Sequence, residues 1–252
     1  AAVGSWTLGT VAGSNTLTAT SGSLTGSPLT FTATGTPAPA ALLALSTLPS
    51  ASATNGIALA QQPVVQVTDA FGNAIAQAGT TVTVAASTGG TIAAGGTAIT
   101  SAGGAATFSG MILNGLVGSY TLSFSAPGLT GVTSAAIALA AGAPSTMSIT
   151  TQPSATATNG AQLGQQPVLQ LADAGGNPSP TAGVSITAAL TGSPANIALG
   201  GTTSVNSNGS GVVTFTNLSL NGLVGTYSLT FSGTGLTSVV STGIGLAAGA
   251  PA

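Results

Sequence analysis

NGLVGSYTLSF, residues 114–124, returns as NGLVGTYSLTF at residues 221–231, and a worn third version, GTVAGSNTLTA, stands at residues 9–19. Within it Tyr120, Leu122 and Phe124 alternate with Thr121 and Ser123, and Tyr227, Leu229 and Phe231 repeat the alternation. Side chains two apart share one face of a strand, so this is the period of a strand with one face buried and one face wet. The same alternation places Val65 and Val67 in PVVQVTD, Val82 and Val84 in TTVTV, and Ile137 and Leu139 on inward faces.

The repetition extends well beyond this stretch. ASATNGIALAQQPVVQVTDAFGNAIAQ (51–77) matches ATATNGAQLGQQPVLQLADAGGNPSPT (155–181) at an offset of 104, while NGLVG and AGAP (141–144) recur at an offset of 107. A three-residue insertion between the two blocks accounts for the difference. The opening AGSNTLTATSGSLTGSPLTFTATGTPAP (12–39) lies over residues 117–144 without a gap. The chain therefore divides into a truncated unit at 1–39, a full unit at 40–144 and a second full unit at 145–252. A period near 105 residues is that of a whole domain, far above the roughly 20–50 residues of solenoids and propeller blades, and it agrees with the roughly 100 residues of an immunoglobulin-like sandwich.

Turn dipeptides bound the strands: Asn55-Gly56, Asn114-Gly115, Asn159-Gly160, Asn208-Gly209 and Asn221-Gly222. No apolar spacing of three and four persists long enough for a helix. The expected fold class is all-β: tandem immunoglobulin-like antiparallel β-sandwiches with about seven strands per full unit. The opening segment is expected to add three strands, from GSWTL, SNTLTATS and SPLTFTATG. Three strands cannot bury both faces of a core. That predicts completion by the preceding residues of a longer chain, with strands donated by another subunit as the alternative.

The succession PVVQVTDAFGNAI, TTVTVAASTGG, AATF and GSYTLSFSA, echoed by PVLQLADAGGNPS, VVTF and GTYSLTFSG, resembles the bacterial immunoglobulin-like (Big, invasin/intimin-type) tandem repeats of surface proteins. The resemblance covers both full units and, more weakly, the opening segment. It implies sandwich modules that space something away from a cell or build an extracellular fibre. The chain departs from that family in lacking the Lys, Arg and Glu its surfaces usually carry.

Composition excludes much else. An average protein is roughly one quarter Asp, Glu, Lys and Arg; here two of 252 residues are acidic and none is Lys, Arg or His. Without cations there is nothing to neutralise phosphates, so nucleic acid is excluded as a partner by the usual electrostatic route, and an anionic membrane surface is a poor one. Cysteine is absent, which removes disulfides and thiolate zinc sites. Mean hydropathy is positive, yet ALLAL (41–45) and AIALAA (136–141) fall far short of the roughly 20 apolar residues of a spanning helix. No transmembrane segment is expected.

The groups that general acid–base catalysis, nucleophile activation and metal binding need are missing, so no catalytic, cofactor-binding or metal site is expected and the chain is read as no enzyme. Asp69 in TDAFGN and Asp173 in ADAGGN are the only carboxylates and occupy one repeat position. A calcium site would normally gather more than one carboxylate; a side chain that caps its own turn is the simpler role. Gln61, Gln62, Gln165 and Gln166 could form ester crosslinks to Thr, though polar surface is their commoner use.

Trp6, Tyr120 and Tyr227 raise the question of sugar stacking. Trp6 aligns with Met111 and Leu218, and both tyrosines lead an alternating strand, so all three are expected in the core, the tyrosines much like a tyrosine corner. Asn208 and Asn217 fit the glycosylation sequon, a match that a Ser- and Thr-rich chain makes by chance.

Charge near zero promotes association, which suits a polymer or coat. The expected function is an extracellular structural protein of the cell surface, rigid tandem repeats forming a filament, sheath or adhesin stalk, with self-association or adjacent repeats of the same or a longer chain as partners. Pro37, Pro39 and Pro144 stiffen the short junctions. The alternative is an adhesion module whose Thr/Ser rows, such as TLTAT (16–20) and TFTAT (30–34), recognise glycan, ice or mineral.

Overall fold

A computed structural model describes residues 5–192 and 194–249. Among them are 26 strands and no helix. The chain forms two compact units: unit 1 comprises Ala1–Ala53, Ala58–Leu113 and Ser119–Ala138, and unit 2 comprises Thr54–Ile57, Asn114–Gly118 and Leu139–Ala252. Two short pieces of the first full repeat, Thr54–Ile57 and Asn114–Gly118, thus belong to the second compact body.

Unit 2 shows the architecture plainly. One sheet orders Thr146–Thr151, Val168–Ala172 and Val212–Thr214; a second orders Ser204–Asn206, Ser185–Leu190, Leu229–Ser232 and Val239–Val240. The connection from Val168–Ala172 to Ser185–Leu190 crosses from one sheet to the other, and so does that from Ser204–Asn206 to Val212–Thr214. Alternation turns Leu169, Leu171 and Val213 of the first sheet toward Ile186, Ala188, Leu229 and Phe231 of the second, in one core. Phe215 and Phe231 meet at the centre, ring centroids 5.4 Å apart. This is a two-layer sandwich, as the alternation predicted.

In unit 1 the corresponding strands join into one seven-stranded sheet: Thr97–Ile99, Thr81–Ala86, Leu122–Ala126, Leu129–Thr133, Leu42–Thr47, Val64–Thr68 and Ala105–Thr107. The link is a parallel pairing of Thr130 with Leu42. Phe108 and Phe124 repeat the aromatic contact at 5.3 Å.

Two details of the pairing differ from expectation. Most of it is antiparallel, but Thr156–Thr158 runs parallel to Ile244–Ala247, as Thr130 does to Leu42. Among the described residues each full repeat is divided into twelve short strands, against about seven expected, because longer extended stretches are interrupted. The stretch NGLVGSYTLSF is one example: it leads through Gly118–Tyr120 into Leu122–Ala126, which belong to different sheets.

Among its described residues the opening segment supplies two strands where about three were expected. Gly13–Ala19 pairs with Leu29–Gly35 in register Gly13↔Gly35 to Ala19↔Leu29, and Ser5–Ala12 contains no strand. The gapless alignment also slips here. In the second full repeat Gly225 pairs with Leu246, which correspond to Gly13 and Thr34, so the hairpin is one residue out of register. A one-residue slip reverses every side chain of a strand. Phe31 therefore stands opposite Leu17, and Thr30, Thr32 and Thr34 stand opposite Thr18, Thr16 and Ser14. Leu17 is 40% exposed and Phe31 48%, whereas Leu122 and Leu229, the counterparts of Leu17, are fully buried.

The second AGAP runs into Ala250, Pro251 and Ala252, and with Ala1–Gly4 these lie outside the described residues. No helix among the described residues is long and apolar enough to cross a membrane.

Candidate functional site

The two Asp turns are built alike and reach farther than their own hairpins. In unit 1, Asp69 Oδ1 accepts the N–H groups of Phe71 and Asn73, each at 2.9 Å, which closes the turn on itself. The other oxygen, Oδ2, accepts from Asn73 Nδ2 at 2.8 Å and from the N–H of Ala38 at 2.9 Å. Asn73 then continues the network: its Nδ2 donates to Thr10 O and its Oδ1 accepts from the N–H of Ala12, both at 2.8 Å.

In unit 2, Asp173 Oδ1 accepts from Gly175 and Asn177 N–H, each at 2.9 Å. Oδ2 accepts from Asn177 Nδ2 at 3.0 Å, from Gly142 N–H at 2.9 Å and from Asn55 Nδ2 at 3.0 Å. Asn177 accepts the Val117 N–H at 2.8 Å and donates to Gly115 O at 3.0 Å. Thr10 and Ala12 occupy the repeat positions of Gly115 and Val117, so the same two contacts recur. Pro37 stands where Gly142 does and has no N–H to give; Ala38, the next residue, donates instead. A side chain added at Gly175 would come within 2.9 Å of Asn55 Nδ2. Phe71, at the matching place in unit 1, is exposed.

Both carboxylates are buried. Burial is the largest single influence on each and raises the pKa, but the donors together outweigh it. For Asp69 these are the Asn73 side chain and the N–H groups of Asn73, Ala38 and Phe71, which bring the pKa from 3.8 to about 2. For Asp173 they are the Gly142 N–H, the Asn177 side chain and N–H, and the Asn55 side chain, with the same outcome of about 2. Every oxygen faces N–H donors that a cation would have to displace. Among the described residues no three His, Cys, Asp or Glu come together.

The aromatic residues part ways. Tyr120 is buried. Tyr227 is half-buried and donates its hydroxyl to Leu223 O at 2.8 Å, four residues upstream. Trp6, expected in the core, is 38% exposed and lies outside any strand. Its aligned partners Met111 and Leu218 are covered by a complete sandwich, whereas the described residues of the opening segment form a hairpin.

Sequence reasoning missed the work of two glutamines. Gln62 Nε2 donates to Leu59 O at 2.8 Å while its Oε1 accepts the Met111 N–H at 3.0 Å. Gln166 does the same with Leu163 O at 3.1 Å and the Leu218 N–H at 2.9 Å. Each braces a loop against a distant segment, which occupies the amide that an ester crosslink would consume. Recurrence at one repeat position, just before a proline, was the available signal. Gln61 and Gln165 are exposed. Of the sequon residues, Asn208 caps its turn by accepting from Ser210 and Val212 N–H at 2.9 and 3.0 Å. Asn217 Oδ1 accepts the Thr202 N–H at 2.7 Å.

Residues 142–244 match the family model of Ig-like domain 6 of SMCHD1. Among solved structures, the adhesin FdeC of Escherichia coli is 17% identical with a TM-score of 0.41, over 86% of this chain and 68% of that one. Invasin, a bacterial integrin-binding protein, is 18% identical (TM-score 0.35; 82% and 39% covered). The Yersinia pseudotuberculosis adhesin InvE is 15% identical (TM-score 0.35; 81% and 58% covered). The chain thus spans between 39% and 68% of these three proteins' lengths. No curated protein sequence matches it.

Proposed function

We propose that this chain is an extracellular structural protein, its Ig-like modules acting in a surface filament, sheath or adhesin stalk rather than as an enzyme. One observation carries the reading: the only two carboxylates in the chain are committed to hydrogen bonds that hold backbone segments together. No Lys, His or Cys stands ready as nucleophile, base or ligand, so the polar groups with the strongest chemistry serve architecture. Near-zero charge favours association with like surfaces, which fits a self-associating coat. Antibody raised against the chain should label intact producing cells. Labelling only after permeabilisation overturns the surface assignment.

The threonine ladder of the opening hairpin favours a second reading, an adhesion module. Thr16 and Thr32, and Thr18 and Thr30, are paired directly across the two strands and all are exposed. A regular row of hydroxyls and methyls is a surface suited to glycan, ice or mineral. Glycan arrays and ice-recrystallisation assays on the chain, and on a variant with Thr16, Thr18, Thr30 and Thr32 changed to Val, separate the readings. Binding that the variant loses supports adhesion; none in either assay leaves the structural reading alone.

A further inference from the structure

Asn55 of unit 2 has a counterpart, Asn159, at the same repeat position, and the loop around it is built in the same way. Asn55 Nδ2 donates to Gly115 O at 2.8 Å, and its Oδ1 accepts from the Gly115 N–H at 3.3 Å. Asn159 Nδ2 donates to Gly222 O at 2.8 Å, and its Oδ1 accepts from the Gly222 N–H at 2.9 Å. Val224 and Gly249 stand where Val117 and Gly142 do.

The difference lies in what the polar groups meet. Around Asn55, the second amide hydrogen of Nδ2 and the Gly142 N–H go to Asp173 Oδ2, the Val117 N–H goes to Asn177 Oδ1, and Gly115 O accepts from Asn177 Nδ2. Around Asn159, the N–H groups of Val224 and Gly249 have no partner among the described residues. Asn55 and Gly142 are buried, while Asn159 is half-buried and Gly249 exposed. The first residues of the chain present the Thr10 carbonyl and the N–H groups of Ala12 and Ala38 to the Asp69 turn. One arrangement of backbone groups is thus met twice by an Asp-x-x-x-Asn turn and stands open the third time.

We infer that the surface formed by Asn159, Gly222, Val224 and Gly249 is a docking site for the Asp-x-x-x-Asn turn of a further Ig-like repeat. The carboxylate takes the Gly249 N–H and the Asn159 amide, and the Asn side chain takes the Val224 N–H while donating to Gly222 O. The complementarity is of hydrogen-bond direction and of one negative charge against uncharged donors, which suits a protein without cations. A second copy of this chain is the poorer occupant, because both of its turns, at 69–73 and 173–177, are already engaged. The inference deepens the structural-protein reading and rests on it only for the kind of partner.

The test extends the chain after Pro251 with a further copy of residues 145–252 and follows amide hydrogen exchange. In the extended chain Val224 and Gly249 exchange about tenfold or more slower than in the 252-residue chain, approaching Val117 and Gly142. Asn177→Ala placed in the added copy alone returns Val224 to its earlier rate and leaves Val117 protected. Unchanged exchange at Val224 with the added copy's core protected overturns the inference, and so does protection that survives Asn177→Ala. An added copy that stays unfolded overturns it as well, since residues 145–252 fold in the present chain beside the equivalent surface. Protection of Val224 that rises with concentration in the 252-residue chain assigns the site to a second copy instead. None of these outcomes alters antibody labelling of intact cells, so the two readings fail separately.

Discussion

Asp69 and Asp173 set how the protein responds to acid. Each has a folded pKa of about 2, below its ordinary 3.8. A depressed carboxylate contributes stability that is fully present above the unfolded pKa and is lost as pH falls through the folded one. The melting temperature should therefore be level from about pH 5 to about pH 9, where the sequence offers no Lys, Arg, His or Cys to titrate. It should drop between about pH 4 and about pH 2, and a thermal-melt series across these buffers checks both limbs. Asp173→Asn replaces one accepting oxygen with an NH2 donor, so either the Gly142 N–H and the Asn55 and Asn177 side-chain donors at Oδ2 or the Gly175 and Asn177 N–H groups at Oδ1 lose their acceptor. Leaving a buried donor unmade costs about 1–3 kcal/mol. Urea unfolding of unit 2 should register a loss of that size, and part of the acid limb should vanish with it.

Strands and turns are governed by close backbone approach as much as by apolar burial. Gly104 and Gly211, at matching repeat positions, have φ of +78° and +73°. A Cβ at either would strike a backbone carbonyl, that of Ile75 or of Ser179. These carbonyls belong to segments bonded to the central strands, through Ile75 N–H to Val67 O and Ser179 N–H to Leu171 O, both at 2.9 Å. Gly211→Ala should destabilise unit 2 by about 2–4 kcal/mol, since the clash is with backbone that cannot step aside. Gly209→Ala, two residues away with open space around it, is the control and should cost well under about 1 kcal/mol. Paired denaturation curves decide the contrast.

For the whole molecule, near-absence of charge is the governing property. A net charge of −2 over 252 residues leaves little for salt to screen. Melting temperature and association measured by light scattering should change little between about 0.02 M and about 0.5 M NaCl, where a protein held by ion pairs would respond. A strong salt dependence would show that charge, rather than hydrogen bonds and apolar contact, controls stability and assembly.

The alternation in SYTLSFS and TYSLTFS was enough to identify strands, the inward residues Leu122, Phe124, Leu229 and Phe231, and a sandwich of two layers, because period two along a strand is a local property of the backbone. The repeat offset marked Asp69 and Asp173 as a matched pair, and the Asx turn needs only neighbours within four residues. Partners more than thirty residues away were invisible: Ala38 for Asp69, and Asn55, Val117 and Gly142 for the Asp173 turn. So were the bracing of Gln62 and Gln166 and the assignment of Thr54–Ile57 and Asn114–Gly118 to unit 2. Trp6 and the hairpin register misled for the same reason. An aligned position inherits its neighbours' burial only when the covering strands are there, and Leu17 pairs with Phe31 through a choice of register that the two strands make together. Which faces are apolar is written in local order along the chain; what meets those faces, and which N–H finds which oxygen, is decided when distant segments pack.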